Sequence, residues 1–265
     1  MNKRLILCSD HIKKDFNLDD AIAYSNSREL PLEVHKKHFS DLFRLDDVYP
    51  IISIHPLWRD FSLCTNNQKY LKKSIEYLKT LIKFIQEKNI PHIVIHPEGY
   101  PADLNKNLRM KNVINAFVEL SEYLESGIND ECKILLENIP PAVIYPPSEL
   151  PEYYIGEKLE DLIPILEINN NIEFLFDLGH FLCSYNCYGE GQFDVLKKLW
   201  SKLTYVHVHD NNGEINNHEP LTRPSSIKIL RLIENNCHPK YSFEIRPSVK
   251  GLNNSIDAVK RIMNG

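Results

Sequence analysis

Six short apolar runs in this 265-residue chain end on a residue that can ligate a metal: IISIH at His55, HIVIH at His96, KILLE at Glu137, EFLFD at Asp177, LTYVH at His207 and YSFE at Glu244. The gaps between successive ligands are 41, 41, 40, 30 and 37 residues. Such an interval accommodates one strand, one helix and two connections, and its regular recurrence marks a repeated strand-helix unit. A (β/α)8 barrel repeats that unit and brings the C-terminal end of every strand to one mouth. The six side chains are therefore expected to converge. Histidine, aspartate and glutamate together form the mixed nitrogen and oxygen set that divalent ions accept.

The rest of the chain follows the same alternation. Residues 4–9 (RLILCS) and 31–35 (PLEVH) read as the first two strands, with a helix over 18–25 between them. After Thr65 and Asn66, either able to cap a helix, residues 68–88 place Leu71, Ile75, Leu78, Leu81, Ile82 and Ile85 on one face and charges on the other. Further helices are expected over 104–125, 157–168, 193–199, 225–235 and 255–263. Strands 6, 7 and 8 are expected at EFLFD, LTYVHVH and YSFEI. Residues 138–154, NIPPAVIYPPSELPEYY, are too rich in proline for regular structure. They follow a ligand at the mouth, where barrel loops carry specificity, and are expected to form a lid or substrate wall. The whole span 1–265 reads as a single (β/α)8 TIM-barrel domain.

Composition narrows the partners. With 43% hydrophobic and 25% charged residues the chain has ample core material, and nothing suggests disorder. A net charge of -5 with dispersed Lys and Arg lacks the footprint of a nucleic-acid binder. No apolar run reaches membrane-span length, and the opening MNKRLILCSDH turns polar too early for a signal-peptide core, so no membrane partner and a cytoplasmic location are expected. Six cysteines without a CxxC pair read as free thiols, mostly buried; Cys183 and Cys187, just after a ligand, are the two placed to reach the mouth.

ILLEN, FDLGH, VHVHDN, NHEPL and FEI occur in that order, and together they resemble the xylose-isomerase-like superfamily, which contains sugar and sugar-phosphate isomerases and epimerases with endonuclease IV as a relative. The resemblance spans Ile51 to Glu244. It implies one divalent ion, Mn, Mg, Zn or Co, held by Glu137, Asp177, His207 and Glu244. It also implies a small-molecule substrate, a sugar, sugar phosphate or related hydroxy-carbonyl compound. Proton transfer would run through a metal-stabilised enediolate, with Glu137 and Glu244 as the proton-carrying groups. His180, three residues after Asp177, is implied as a substrate contact or a further ligand.

Several residues extend this set. Alternation along the last strand puts Arg246 on the same face as Glu244, where a guanidinium would bind an anionic substrate group. His209 shares a face with His207 and is expected to support the metal site without ligating, while Asp210 points elsewhere. His35, His38, His92 and His238 have no motif behind them and read as surface or capping residues.

The alternative is a zinc-dependent phosphodiesterase of the endonuclease IV type, acting on abasic DNA. In that branch the resemblance implies that His55 and His96, with His180, His218 and the position of Asn216, hold additional zinc ions; in the isomerase branch His55 and His96 are mouth contacts. Three departures count against the nuclease: Asn216 replaces an aspartate, Trp58 replaces a tyrosine, and LCSDHIKKD replaces a glycine- and alanine-containing segment. A neutral Asn oxygen is a weaker ligand than a carboxylate. The isomerase or epimerase is the expected activity.

Overall fold

Eight parallel strands close into a barrel in chain order: β1 (Leu5–Cys8), β2 (Leu32–His35), β3 (Ile51–His55), β4 (His92–Ile95), β5 (Lys133–Glu137), β6 (Ile172–Asp177), β7 (Leu203–Val208) and β8 (Lys240–Phe243), which pairs back with β1. This is a computed structural model, and it describes residues 4–98, 105–129, 131–142, 153–246 and 248–265. The helices are α1 (Ser9–Ile12), α2 (Leu18–Arg28), α3 (Phe39–Leu42), α4 (Gln68–Glu87), α5 (Lys106–Glu125), α6 (Ile163–Leu166), α7 (Leu178–Tyr188), α8 (Gly191–Leu199), α9 (Pro224–Cys237) and α10 (Val249–Met263).

Strand parity divides the core into two. Leu5, Leu7, Leu32, Val34, Ile93, Ile95, Ile134, Leu136, Phe174 and Phe176 join the helices in the large outer core. Ile6, Val94, Leu135, Leu175 and Tyr205, with Ile52 against them, form a separate cluster inside the barrel. Because side chains alternate along a strand, one step of two residues beyond that apolar plug reaches the mouth. Cys8, His96, Glu137, Asp177 and His207 are those next steps, and the barrel core thus lies directly beneath the ligand ring.

Local signals set the helix ends. Asn17 Oδ1 accepts from Asp20 N at 2.9 Å and the Asp20 carboxylate accepts from Asn17 N, a reciprocal cap. Neither Thr65 nor Asn66 caps α4. Asn67 does, taking Tyr70 N at 3.1 Å, while Thr65 Oγ1 accepts from Asn67 N and shapes the approach. Residues 157–168 form a short 3-10 turn, Leu159–Leu162, followed by α6 rather than one continuous helix. Besides the one-turn α1 and α3, a longer helix was not expected: α7 starts immediately after β6, with no connecting loop. Asp177 ends the strand and also caps the helix, accepting from His180 N at 2.6 Å. Of the proline-rich stretch, residues 143–152, on which the expected lid mostly rests, lie outside the described residues. Among the described residues no helix is long and apolar enough to cross a membrane.

Candidate metal centre

The end of β5, the end of β6, the end of β7 and the residue following β8 deliver Glu137, Asp177, His207 and Glu244 to one point. One ligand atom from each lies within 4.8 Å of all the others, and all four residues are buried. Ligands sitting about 2.0–2.2 Å from a common ion can be at most about 4.4 Å apart, so small side-chain adjustments would close this set around a cation. The hydrogen bonding points the same way. Glu137 Oε2 and Glu244 Oε1 are buried without a hydrogen-bond partner of good geometry, a costly state for carboxylate oxygens unless a cation takes them.

Asp177 is held from three sides. Its Oδ1 caps α7, its backbone exchanges two hydrogen bonds with the side chain of Asn138 at 2.7 and 3.0 Å, and His209 Nε2 reaches Oδ2 at 3.1 Å. Asn138, the last letter of ILLEN, therefore ties the end of β5 to the end of β6. His209 is fully buried and stacks on His218 with centroids 3.9 Å apart. Asp210 does turn away: its carboxylate accepts from Thr222 N, Arg223 N and Ser226 Oγ, fastening the start of α9.

The charges of this buried ring are strongly interdependent. Burial works against ionisation of Glu137 and Glu244, but the facing imidazoles of His207 and, in turn, His96 and His55 or His35 hold both well below the usual carboxylate range. Asp177 goes the other way, pushed up to about 7 by burial, opposed by His180, and by the neighbouring carboxylates Glu137 and Glu244. His207 is disfavoured as a cation by burial, yet Glu244, Glu33 and Glu137 raise it well above its ordinary value. Three carboxylates around one imidazole make a site that attracts positive charge.

His55 and His96 flank this set. Their Nε2 atoms lie 3.3 and 2.8 Å from Glu137 Oε2, and the three residues form a second group of ligand-competent atoms. His180, His209 and His218 form a third. His180 Nδ1 and His218 Nδ1 each contact a backbone carbonyl, of Asn138 and Glu244, at 2.8 Å. A carbonyl only accepts, so these contacts fix the protons on Nδ1 and leave Nε2 as lone pairs. Asn216 sits beside them, its Nδ2 3.3 Å from His218 Nε2 and its Oδ1 buried without a hydrogen-bond partner.

Above the ring opens a cavity of about 390 Å³ whose walls include Trp58, Pro56, Leu57, Ile139, Tyr154 and Glu98 along with the mouth histidines. That volume suits a small molecule. Glu98 is spent on structure: one oxygen takes Arg109 Nη1 at 2.5 Å and the other takes Ile155 N, which fastens the 153–156 segment beside the opening. Arg246 is not in the cavity wall. The strand ends at Phe243, the alternation ends with it, and the Arg246 side chain is exposed while its backbone N donates to His218 O at 2.7 Å. Cys183 is buried and Cys187 exposed, and neither lines the cavity.

Four mouth residues had no motif to announce them. Glu33, fully buried on β2, lies 3.0 Å from His207 Nε2 and accepts from Ser53 Oγ at 2.8 Å. His35, expected at the surface, is buried with Nε2 2.9 Å from Glu244 Oε1. His11, on the one-turn α1, and Cys8, at the end of β1, complete that side of the ring. His38 and His92 are also buried, the latter with Nδ1 against Ile52 O at 2.9 Å, whereas His238 does terminate a helix, in the left-handed conformation at the end of α9.

Comparison with known proteins places this geometry. An uncharacterized protein of Methanocaldococcus jannaschii is 28% identical over 186 residues, covering 69% of this chain, and the chain spans only 59% of that relative's length. Among solved structures, a D-tagatose 3-epimerase-like protein superposes with a TM-score of 0.76 at 20% identity, covering 98% of this chain and 97% of its own. The IolI protein with a bound zinc atom gives 0.74 at 13% identity, covering 98% of both chains. Endonuclease IV from Thermus thermophilus gives 0.64 at 12%, covering 98% of this chain and 99% of its own. These likenesses establish the shared fold. Residues 20–235 match the family described as xylose isomerase-like TIM barrel, and the chain therefore belongs to that family.

Proposed function

We propose that this protein is a divalent-metal-dependent isomerase or epimerase of a small, uncharged sugar or related hydroxy-carbonyl compound. The observation that carries the reading is the convergence of Glu137, Asp177, His207 and Glu244 within 4.8 Å, with Glu137 and Glu244 lining a cavity that a small molecule can enter. Mn, Mg, Zn or Co bound by these four residues would polarise adjacent carbonyl and hydroxyl oxygens and stabilise the negative charge that develops when a neighbouring C–H loses its proton.

The proton itself falls to the protein. Glu137 and Glu244 are both held ionised, as bases must be, and they enter from β5 and from the end of β8, on different sides of the ring. One would take the proton from the substrate carbon; for isomerisation that same glutamate would hand it to the adjacent carbon, and for epimerisation the other, after taking up a proton from water, would deliver it to the opposite face while the first returns its own to water. Asp177, fixed through its cap and through Asn138, holds its place while the two glutamates exchange protons.

Substrate charge follows from the wall. No Lys or Arg lines the cavity among the described residues. Arg246, the cation expected for a phosphate or carboxylate, is elsewhere. Trp58 and Tyr154 instead offer aromatic faces, which suit the C–H side of an uncharged sugar. Six free thiols fit a reducing, cytoplasmic setting.

One observation favours a second reading, a zinc phosphodiesterase of the endonuclease IV type: His180, His209 and His218 come together as an additional ligand-competent group despite Asn216. The experiment is a panel of ketoses and aldoses incubated with metal-loaded protein and followed by NMR, alongside an abasic duplex. Stereochemical inversion or carbonyl migration, lost in Glu137→Gln and Glu244→Gln, supports the isomerase; cleavage of the duplex with no change in any sugar supports the nuclease.

A further inference from the structure

The principal ligand set leaves one part of the mouth unexplained. Across the neighbouring strands β8, β1 and β2 stand Glu244, Cys8 and His35, and the single turn of α1 adds His11. One ligand-competent atom from each of the four lies within 4.8 Å of all the others. A sulfur, two imidazole nitrogens and a carboxylate oxygen make a four-donor set of the composition zinc accepts, softer than the three carboxylates and one imidazole next to it.

His11 is the most telling member. Its Nδ1 lies 3.1 Å from Ile245 O, an acceptor, so the ring proton is fixed there and Nε2 presents a lone pair. The ring is further fixed by stacking on His218, with centroids 5.3 Å apart and planes 14° from parallel, and edge-on against His35 at 5.6 Å. His11 also lines the cavity. Glu244 Oε1 lies 2.9 Å from His35 Nε2 yet makes no hydrogen bond of good geometry. The same oxygen lies 3.5 Å from His207 Nδ1, so the Glu244 carboxylate faces both donor sets and can be shared between two ions.

The geometry points to a second, thiophilic cation site built from Cys8, His11, His35 and Glu244, sharing Glu244 with the principal centre. Its ligand class is Zn, Co or another thiol-seeking divalent ion; Mg and Mn, which favour oxygen, would fill the principal site and leave this one. The site stands on its own residues and does not depend on the isomerase reading, since the same ions would bind whatever reaction the neighbouring centre performs.

The probe is cobalt, loaded under anaerobic conditions into chelator-stripped full-length protein. A thiolate ligand gives an intense sulfur-to-cobalt charge-transfer absorption in the near ultraviolet that oxygen and nitrogen ligands do not. The wild-type protein is expected to show that band, Cys8→Ser to lose it together with about one cobalt per chain, and His11→Ala to weaken it. Asp177→Asn, which dismantles the principal set, is expected to keep the band. Loss of metal from Asp177→Asn with the band intact separates the two sites. Absence of the band in wild-type protein overturns the proposal with no variant needed, and a band that survives Cys8→Ser overturns it by assigning the thiolate elsewhere.

Discussion

Inside the barrel, Nε2 of His207 lies 3.0 Å from Oε1 of Glu33. The opposite nitrogen, Nδ1, hydrogen-bonds Glu137 Oε1 at 2.8 Å, so the ring is suspended between a carboxylate beneath it and the ligand set above. A carboxylate behind a ligating imidazole fixes the ring's orientation and makes its free nitrogen a better donor. Glu33 is thus a positioning residue, itself held by Ser53 Oγ at 2.8 Å and Tyr205 OH at 3.2 Å.

Glu33→Gln keeps the shape and removes the charge. Metal affinity in this variant is expected to fall by about 10–100-fold, the usual effect of losing such a partner. Competition with a chromophoric chelator measures it; affinity unchanged within a factor of about two would mean that Glu33 only fills space.

Metal uptake should be linked to pH, with a defined sign. In the metal-free site Asp177, at about 7 because of burial and its carboxylate neighbours, and His207, raised well above its usual value by Glu244, Glu33 and Glu137 against the pull of burial, both carry protons in mildly acidic solution. Each must lose one to ligate. Affinity is therefore expected to rise as pH rises through about 7 and to weaken below it, with about one to two protons released per ion. Titration calorimetry in buffers of different ionisation enthalpy reads that number directly. A binding enthalpy independent of buffer would contradict it.

Much of this arrangement was legible in the chain, and the exceptions have physical causes. The six strand-end ligands from His55 to Glu244 all reach the mouth, because period-2 alternation in eight similar strands leaves little freedom in where a strand's last inward residue points. PLEVH ends on a ligand too, but only 20 residues before His55, and a rule built on longer intervals passed over His35 and with it Glu33. Arg246 failed for the converse reason: alternation was carried three residues past Phe243, where the strand stops. α7 went unread since its start is the side chain of a strand residue, Asp177, with no loop to mark the change of period. His11 sits on a helix of four residues, too short for any periodic signal.

Gly179 offers a test of how tightly the supporting layer is packed. A Cβ at this position would lie 1.8 Å from Cε1 of His209, whose ring is confined between His218 and Asp177. Gly to Ala within a helix normally stabilises by about 0.5–1 kcal/mol. Here Gly179→Ala is expected to destabilise instead, by about 1–3 kcal/mol, as other overpacked substitutions do, and to weaken metal binding by displacing His209 from Asp177. Urea unfolding with and without metal separates the two effects. A variant as stable as the parent, with unchanged affinity, would contradict this account of the packing.

The most direct measurement is exchange of solvent hydrogen into substrate. Metal-loaded protein incubated in D2O with a mixture of uncharged ketoses is expected to place deuterium on a carbon adjacent to the carbonyl, at a rate that disappears on chelation and in Glu137→Gln, Glu244→Gln and Asp177→Asn. Deuterium incorporation that persists in the metal-stripped protein, or none in any sugar while an abasic duplex is cut, would contradict the assignment of Glu137, Asp177, His207 and Glu244 to metal-assisted proton transfer.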